Sequence, residues 1–244
     1  MKLRIRHTKL GKIRFTSHRD TARHWERAVK KSGVALAYSA GFTPRPRMSF
    51  GLALPTGAES LAEYLDMELA PGIDADLDEL AVRFRVAMPA GYEVTHVVPR
   101  ELGSPSLQED VASCSWVFTL DGVSSDQVSD AVATTLAAPT VMVDRERKGQ
   151  RSTDDVRPAI LDLSTAVTVG ESDEDNRPRL CATLATNGRG LRPLELVAAL
   201  FPALDPVDTA ARVLRTHQWI ERDGIRQEII SAGLVAARTP VECA

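Results

Sequence analysis

An α+β fold, built as two tandem ferredoxin-like (split βαβ) modules with antiparallel sheets, follows from three features of this 244-residue sequence. Apolar residues alternate at a period of two in several short runs and at helical spacing in others, so strands and helices are mixed. The order strand, helix, strand, strand, helix, strand reads over residues 1–100 and starts again after residue 112. Between the two passes, the stretch 101–112 is rich in linker-type residues (ELGSPSLQEDVA). The expected organisation is therefore a basic module over 1–100, a linker over 101–112 and a second module over 113–244.

Leu3, Ile5 and His7 alternate with Arg4, Arg6 and Thr8, the pattern of a half-buried strand with a cationic outer face. Gly11 turns the chain, and Ile13-Arg14-Phe15 resumes as a strand. Thr16 to Asp20 offers N-cap side chains for a helix over about 19–32, which Gly33 ends because glycine accepts the left-handed conformation. Val34–Tyr38 reads as a short strand. Residues 41–57, with Pro44, Pro46 and Pro55, read as a long loop free of regular structure. A strand over 60–69, a helix over 74–86 and a strand over 92–98 close the first pass. In the second, strands are expected over 116–120, 140–144, 160–169 and 179–186, and helices over 125–138 and 193–201. Residues 145–156 form a charged hairpin loop, and 210–221 is a last strand or a helix.

Charge is distributed unevenly. Residues 1–50 hold thirteen Lys or Arg against Asp20 and Glu26, a surplus of eleven positive charges inside a chain of net charge −3. Such a local potential steers an anionic partner even when the whole molecule is mildly acidic. RNA is the expected partner. The candidate anion-binding side chains are Arg4, Arg6, Arg14, His18, Arg19, Arg23 and Arg27 in the first segment, with Phe42, Arg45 and Arg47 in GFTPRPRMSFG. Arg147, Lys148 and Arg151 in the second module's hairpin, and Arg189 and Arg192 in NGRGLRP, complete the set. Arg forks match phosphate oxygens bidentately, and prolines beside Arg45 and Arg47 reduce the freedom lost on binding. Phe42 fits a base-stacking platform and a core anchor equally well. Phe50 reads as a core anchor.

Other chemistries find little support. Cys114, Cys181 and Cys243 stand 67 and 62 positions apart and make no local metal or redox motif. The five histidines lack metal-ligand spacing, so no metal or cofactor is expected. NGRGLRP lacks the Lys-Ser/Thr ending of a P-loop. Asp173-Glu174-Asp175 reads as a solvated loop. Nothing approaches eighteen consecutive apolar residues and the first fifteen alternate and are basic, so a cytoplasmic protein without a membrane span is expected.

The stretch RFTSHRD, followed by a basic helix and then YSAGFTPRPRMSFGLALPTGAESLAEYLDMEL, resembles the radical-SAM-linked family, a domain of unknown function found beside or fused to cobalamin-binding radical SAM proteins. The resemblance is closest over the first 70 residues. Further along, Arg147-Lys148-Gly149, Asp155-Val156-Arg157-Pro158 and Gly190-Leu191-Arg192-Pro193 are similar to its later landmarks. It implies association with a radical enzyme and supplies no catalytic residues. The chain itself lacks the three closely spaced cysteines with which a radical SAM enzyme holds its cluster. A more distant likeness is to tandem ferredoxin-like RNA-binding proteins of the CRISPR repeat-processing class. The reading that follows is a noncatalytic accessory protein that binds or presents tRNA or rRNA. Its rivals are a metal-independent endoribonuclease with His18 as acid or base, and a module that docks an acidic protein.

Overall fold

The computed structural model describes residues 1–101, 103–147, 149–166, 177–188 and 190–230, with the backbone alone at 146, 147, 150 and 166. These residues form an α+β protein whose paired strands are antiparallel wherever their register is defined. They divide into two compact units, Met1–Val111 with the segment that begins at Ile220, and Ala112–Trp219.

The first unit begins with β1 (Lys2–Lys9), a 3-10 turn over Gly11–Phe15 and α1 (His18–Ser32). The turn replaces the strand expected at Ile13–Phe15. Gly11 takes φ 72°, its N–H donates to the Glu59 carboxylate at 2.6 Å, and the chain curls instead of extending. α1 follows from its caps. Ser17 Oγ accepts the Asp20 N–H at 3.1 Å, and Gly33 closes the helix at φ 66°.

β2 (Met48–Phe50) then pairs with β3 (Glu59–Glu68), and α2 (Leu77–Ala87) and β4 (Val94–Pro99) complete the layer. Here two expectations are corrected. Val34–Tyr38 forms only the single bridges Leu36↔Leu69 and Tyr38↔Pro46. The regular edge strand lies instead inside the proline-rich stretch, where pairing starts as soon as Pro44 and Pro46, which have no N–H to give, are passed. The sheet order is β4-β1-β3-β2. Leu3, Ile5, Leu65, Met67 and Val94 from the strands bury against Trp25, Ala28 and Val29 of α1 and Leu80 and Phe84 of α2. Within 101–112 the chain makes one helical turn, α3 (Leu107–Asp110), and Leu107 packs at 1% exposure with Ala62, Tyr64 and Ile230.

The second unit contains β5 (Val111–Thr119), α4 (Ser125–Ala137), the hairpin β6 (Met142–Arg147) and β7 (Gln150–Asp155), β8 (Ile160–Ala166), β9 (Arg179–Ala185), α5 (Pro193–Leu200), α6 (Pro206–Thr209) and β10 (Arg212–Arg222). A short β11 (Ile225–Glu228) follows and belongs to the first unit. The order in the second unit's sheet is β10-β5-β9-β8. What was expected to be a loop over 145–156 is thus largely paired strand, with Thr153 donating to Asp144 at 2.6 Å across the ladder. Of residues 210–221, strand or helix by sequence, all from Arg212 onward are strand. Cys114 and Cys181 are buried on β5 and β9, while Cys243 and Asp173-Glu174-Asp175 lie outside the described residues. Among the described residues no helix is long and apolar enough to cross a membrane.

Candidate nucleic-acid interface

The proline-rich loop is held at its neck by three hydrogen bonds, two of which form the Tyr38↔Pro46 bridge. Ser39 N–H donates to Arg45 O at 2.9 Å, Arg47 N–H to Ala37 O at 2.8 Å and Arg45 N–H to Ser39 Oγ at 3.0 Å. The clamp leaves Phe42 at the apex fully exposed (110%) and Tyr38 half-exposed at 50%. Of the two readings of Phe42, the solvent-facing one matches its position. Arg45 and Arg47 are exposed too, and Arg47 makes a 3.2 Å surface pair with Glu68. Such an exposed pair contributes little to stability. Phe50, by contrast, packs partly buried against the core and meets His18 edge-on at 5.5 Å.

On α1 the apolar residues Trp25, Ala28 and Val29 take the buried face. Arg19, Arg23, Arg27 and Lys30 recur at three- and four-residue spacing, so they form one exposed row along the other side. Arg23 reaches back to Asp20 at 3.0 Å. The Ser17 hydroxyl, together with Arg23, holds the Asp20 carboxyl below its usual range. His18 stands exposed at the start of the helix.

Other expected contacts are taken up inside the fold. The burial of β1 on both faces overturns the reading of a cationic outer face. Arg4, 7% exposed, donates through Nε and Nη2 to both oxygens of Asp66 at 2.8 and 3.0 Å. Arg6 lies 3.8 Å from Glu228, with its side chain 12% exposed. Arg14 sits 3.7 Å from Glu59 and over the ring of Phe15. Alternation alone cannot separate a solvent-facing row from one covered by paired carboxylates, because both are polar at every second position. In the second unit Arg151 and Arg192 are exposed, whereas Lys148, Arg189 and the side chain of Arg147 lie outside the described residues. Arg145, at the start of the basic hairpin, bridges Asp154 at 3.5 Å and Glu195 at 2.8 Å and so ties β6 to α5.

Sequence reasoning also missed a narrow cleft in the first unit. His7, Lys9, His18, Thr21, Phe50 and Glu63 line it, so RFTSHRD and the MSFGLAL end of the proline-rich stretch meet at one place. Lys9 is 2% exposed and its ammonium donates to Thr16 O at 2.8 Å. The ordinary exposure of lysine hides such a residue in a sequence. No group of three His, Cys, Asp or Glu side chains among the described residues is arranged to hold a metal.

Against known families, residues 2–193 match the model of an uncharacterized protein conserved in bacteria (DUF2344). No curated protein matches the chain.

Proposed function

We propose, from the premise that the chain belongs to the DUF2344 family, that it is a noncatalytic cytoplasmic accessory protein that binds single-stranded segments of RNA. The observation that carries this reading is the clamped loop, which presents Phe42 fully to solvent next to Arg45 and Arg47. An exposed aromatic ring beside guanidinium groups suits unpaired bases, which stack on the ring while the cations meet the backbone. The row Arg19, Arg23, Arg27 and Lys30 supplies further phosphate contacts without reading sequence. With the separate β6–β7 hairpin set aside, the strand order of each unit's main sheet, fourth-first-third-second, supports the split βαβ reading and a sheet-and-helix scaffold for the loop. Partnership with a radical SAM enzyme rests on the resemblance of RFTSHRD and the proline-rich stretch, and tRNA or rRNA is then the RNA presented.

Binding of the purified protein to total cellular RNA at low and moderate salt tests the proposal. Phosphate neutralisation releases counterions, so affinity should fall steeply with salt, and Arg45→Ala/Arg47→Ala should weaken it at every salt concentration. Salt-insensitive binding, or equal binding by the variant, would reject the RNA surface. A partner captured independently of ribonuclease treatment would then favour protein docking.

A further inference from the structure

Where α1 stops and α2 starts, the first unit has a surface cavity of about 220 Å³ that the RNA-binding reading does not use. Its apolar wall is Val34, Leu69, Ile73 and Leu80. Leu69 and Leu80 belong to the core beneath, and Ile73 stands 41% exposed at the edge. Its charged wall is Asp74, Asp76 and Glu79 against a single cation, Arg83. That cation is engaged: Arg83 Nε donates to Ser32 O at 3.0 Å, and the guanidinium lies 3.7 Å from Glu79. Asp76 caps α2 through Oδ1, whereas Asp74 makes no hydrogen bond or ion pair among the described residues. An acidic rim over an apolar floor thus lies in the unit whose first fifty residues carry the positive surplus.

These walls suit an occupant that is apolar at its tip and cationic at its flank. The carboxylates repel a phosphate backbone, so the cavity does not extend the row of basic side chains on α1. Size defines the tip. A cavity of about 150 Å³ takes up a benzene molecule, so one of 220 Å³ has room for a phenyl ring. The chain itself carries such a group. Its clamped loop presents Phe42 at the apex, with Arg45 and Arg47 exposed three and five residues further on. Guanidinium forks match carboxylates as well as they match phosphates. In its own chain the Phe42 ring meets solvent, so a ring in the cavity belongs to a second molecule.

We propose that the cavity receives the Phe42 loop of a second copy of this chain, with the ring against Val34, Leu69, Ile73 and Leu80 and with Arg45 and Arg47 against Asp74 and Glu79. Loop and cavity are different patches, so the contact is heterologous, one copy giving its loop to the cavity of another. One ring and two charge pairs make a small contact, so the association is transient and grows with concentration, and dilute protein is monomeric. The same loop carries the RNA-binding reading. On that reading, RNA and a second copy compete for it.

Sedimentation equilibrium from micromolar to near-millimolar protein tests the proposal. The average mass of the unaltered protein should rise with concentration. Phe42→Ala and the charge reversal Asp74→Lys/Glu79→Lys should each raise the dissociation constant about tenfold or more, as burial of one aromatic side chain implies. A mixture of the two variants is the decisive arm. The first keeps its cavity and the second its loop, so together they should form one-to-one pairs although neither associates alone. Thermal melts confirm that both variants remain folded, and Phe42→Ala, a change at an exposed position, stands by itself if the charge reversal does not fold. A monomer over the whole range, association unchanged by Phe42→Ala, or a monomeric mixture of folded variants overturns the proposal. A single-stranded oligonucleotide added to the unaltered protein separates it from the RNA-binding reading. Dissociation of the pairs supports both. Binding without dissociation overturns the competition and assigns the RNA to another surface, and an oligonucleotide that does not bind overturns the RNA-binding reading alone.

Discussion

Arg4 of β1 and Asp66 of β3 are direct cross-strand partners joined by two parallel hydrogen bonds of 2.8 and 3.0 Å, with both side chains only 8% exposed. Arg100 Nε approaches the same carboxylate, 3.2 Å from Oδ2. Removing one member leaves an uncompensated buried charge, which costs more than the pair contributes as a whole. Asp66→Ala should therefore lower unfolding free energy by about 3–5 kcal/mol in a urea titration. A loss under about 1 kcal/mol would mean that water reaches the pair and that it behaves as a surface bridge.

Phe42 separates binding from stability. Its ring is fully exposed, so Phe42→Ala removes no packing and should leave the urea midpoint unchanged. If the ring stacks on a base, the same change should weaken binding to single-stranded RNA by about 1–3 kcal/mol. Phe50→Ala is the contrasting variant, because its partly buried ring packs on the core and against His18. It should destabilise the protein.

The elements of the first unit show where the sequence is readable. α1 was visible because its signals are local: Ser17 to cap it, Gly33 to end it and apolar residues at helical spacing between them. β3 and β4 were visible through alternation. Val34–Tyr38 has the alternation of a strand, but alternating small and apolar residues say nothing about how many neighbours a chain finds, and here it finds two single bridges. In the candidate site, Arg45, Arg47 and Phe42 were legible because prolines flag an exposed, restrained loop. Lys9 and Glu63 were not, since their juxtaposition with His18 arises from strand register and from contacts across more than forty residues. Arg4 and Arg6 were misplaced for the same reason, their partners Asp66 and Glu228 being far away in the chain.

Two histidines contribute to the acid side of the stability profile. Burial lowers the pKa of His24, helped by the charge of Arg27, and burial with Arg6 does the same for His96. For each, the neutral ring is favoured in the folded state, and as pH falls the unfolded chain takes up its proton first, near the ordinary histidine value of 6.5. Stability should then rise with pH across the interval below 6.5 and be lost as pH falls through it. Among the groups near His96, Glu228 acts in the opposite direction, so the slope is reduced but keeps its sign. Unfolding titrations at a series of pH values, on the unaltered protein and on His24→Gln/His96→Gln, should show a shallower slope in the variant. An unchanged slope would assign the acid sensitivity to other groups.

Gly11, at the start of the 3-10 turn, and Gly91, in the turn before β4, pose the same backbone demand in different surroundings. Their φ values are 72° and 94°, both in the region that side chains rarely adopt. A Cβ on Gly11 meets nothing within 4 Å, so Gly11→Ala should cost only the left-handed penalty of about 1–2 kcal/mol. On Gly91 the same atom would stand 2.6 Å from the Leu10 carbonyl oxygen and 2.8 Å from the Ile13 side chain. The Ile13 side chain can rotate away, but the Leu10 backbone is fixed by its own N–H, which donates to Gly91 O at 2.9 Å. Gly91→Ala must therefore push β1 and the approach to β4 apart at that point. Chemical denaturation should show it to be clearly more destabilising than Gly11→Ala. Equal losses would mean that conformational strain alone, and not the close backbone approach, requires glycine at 91.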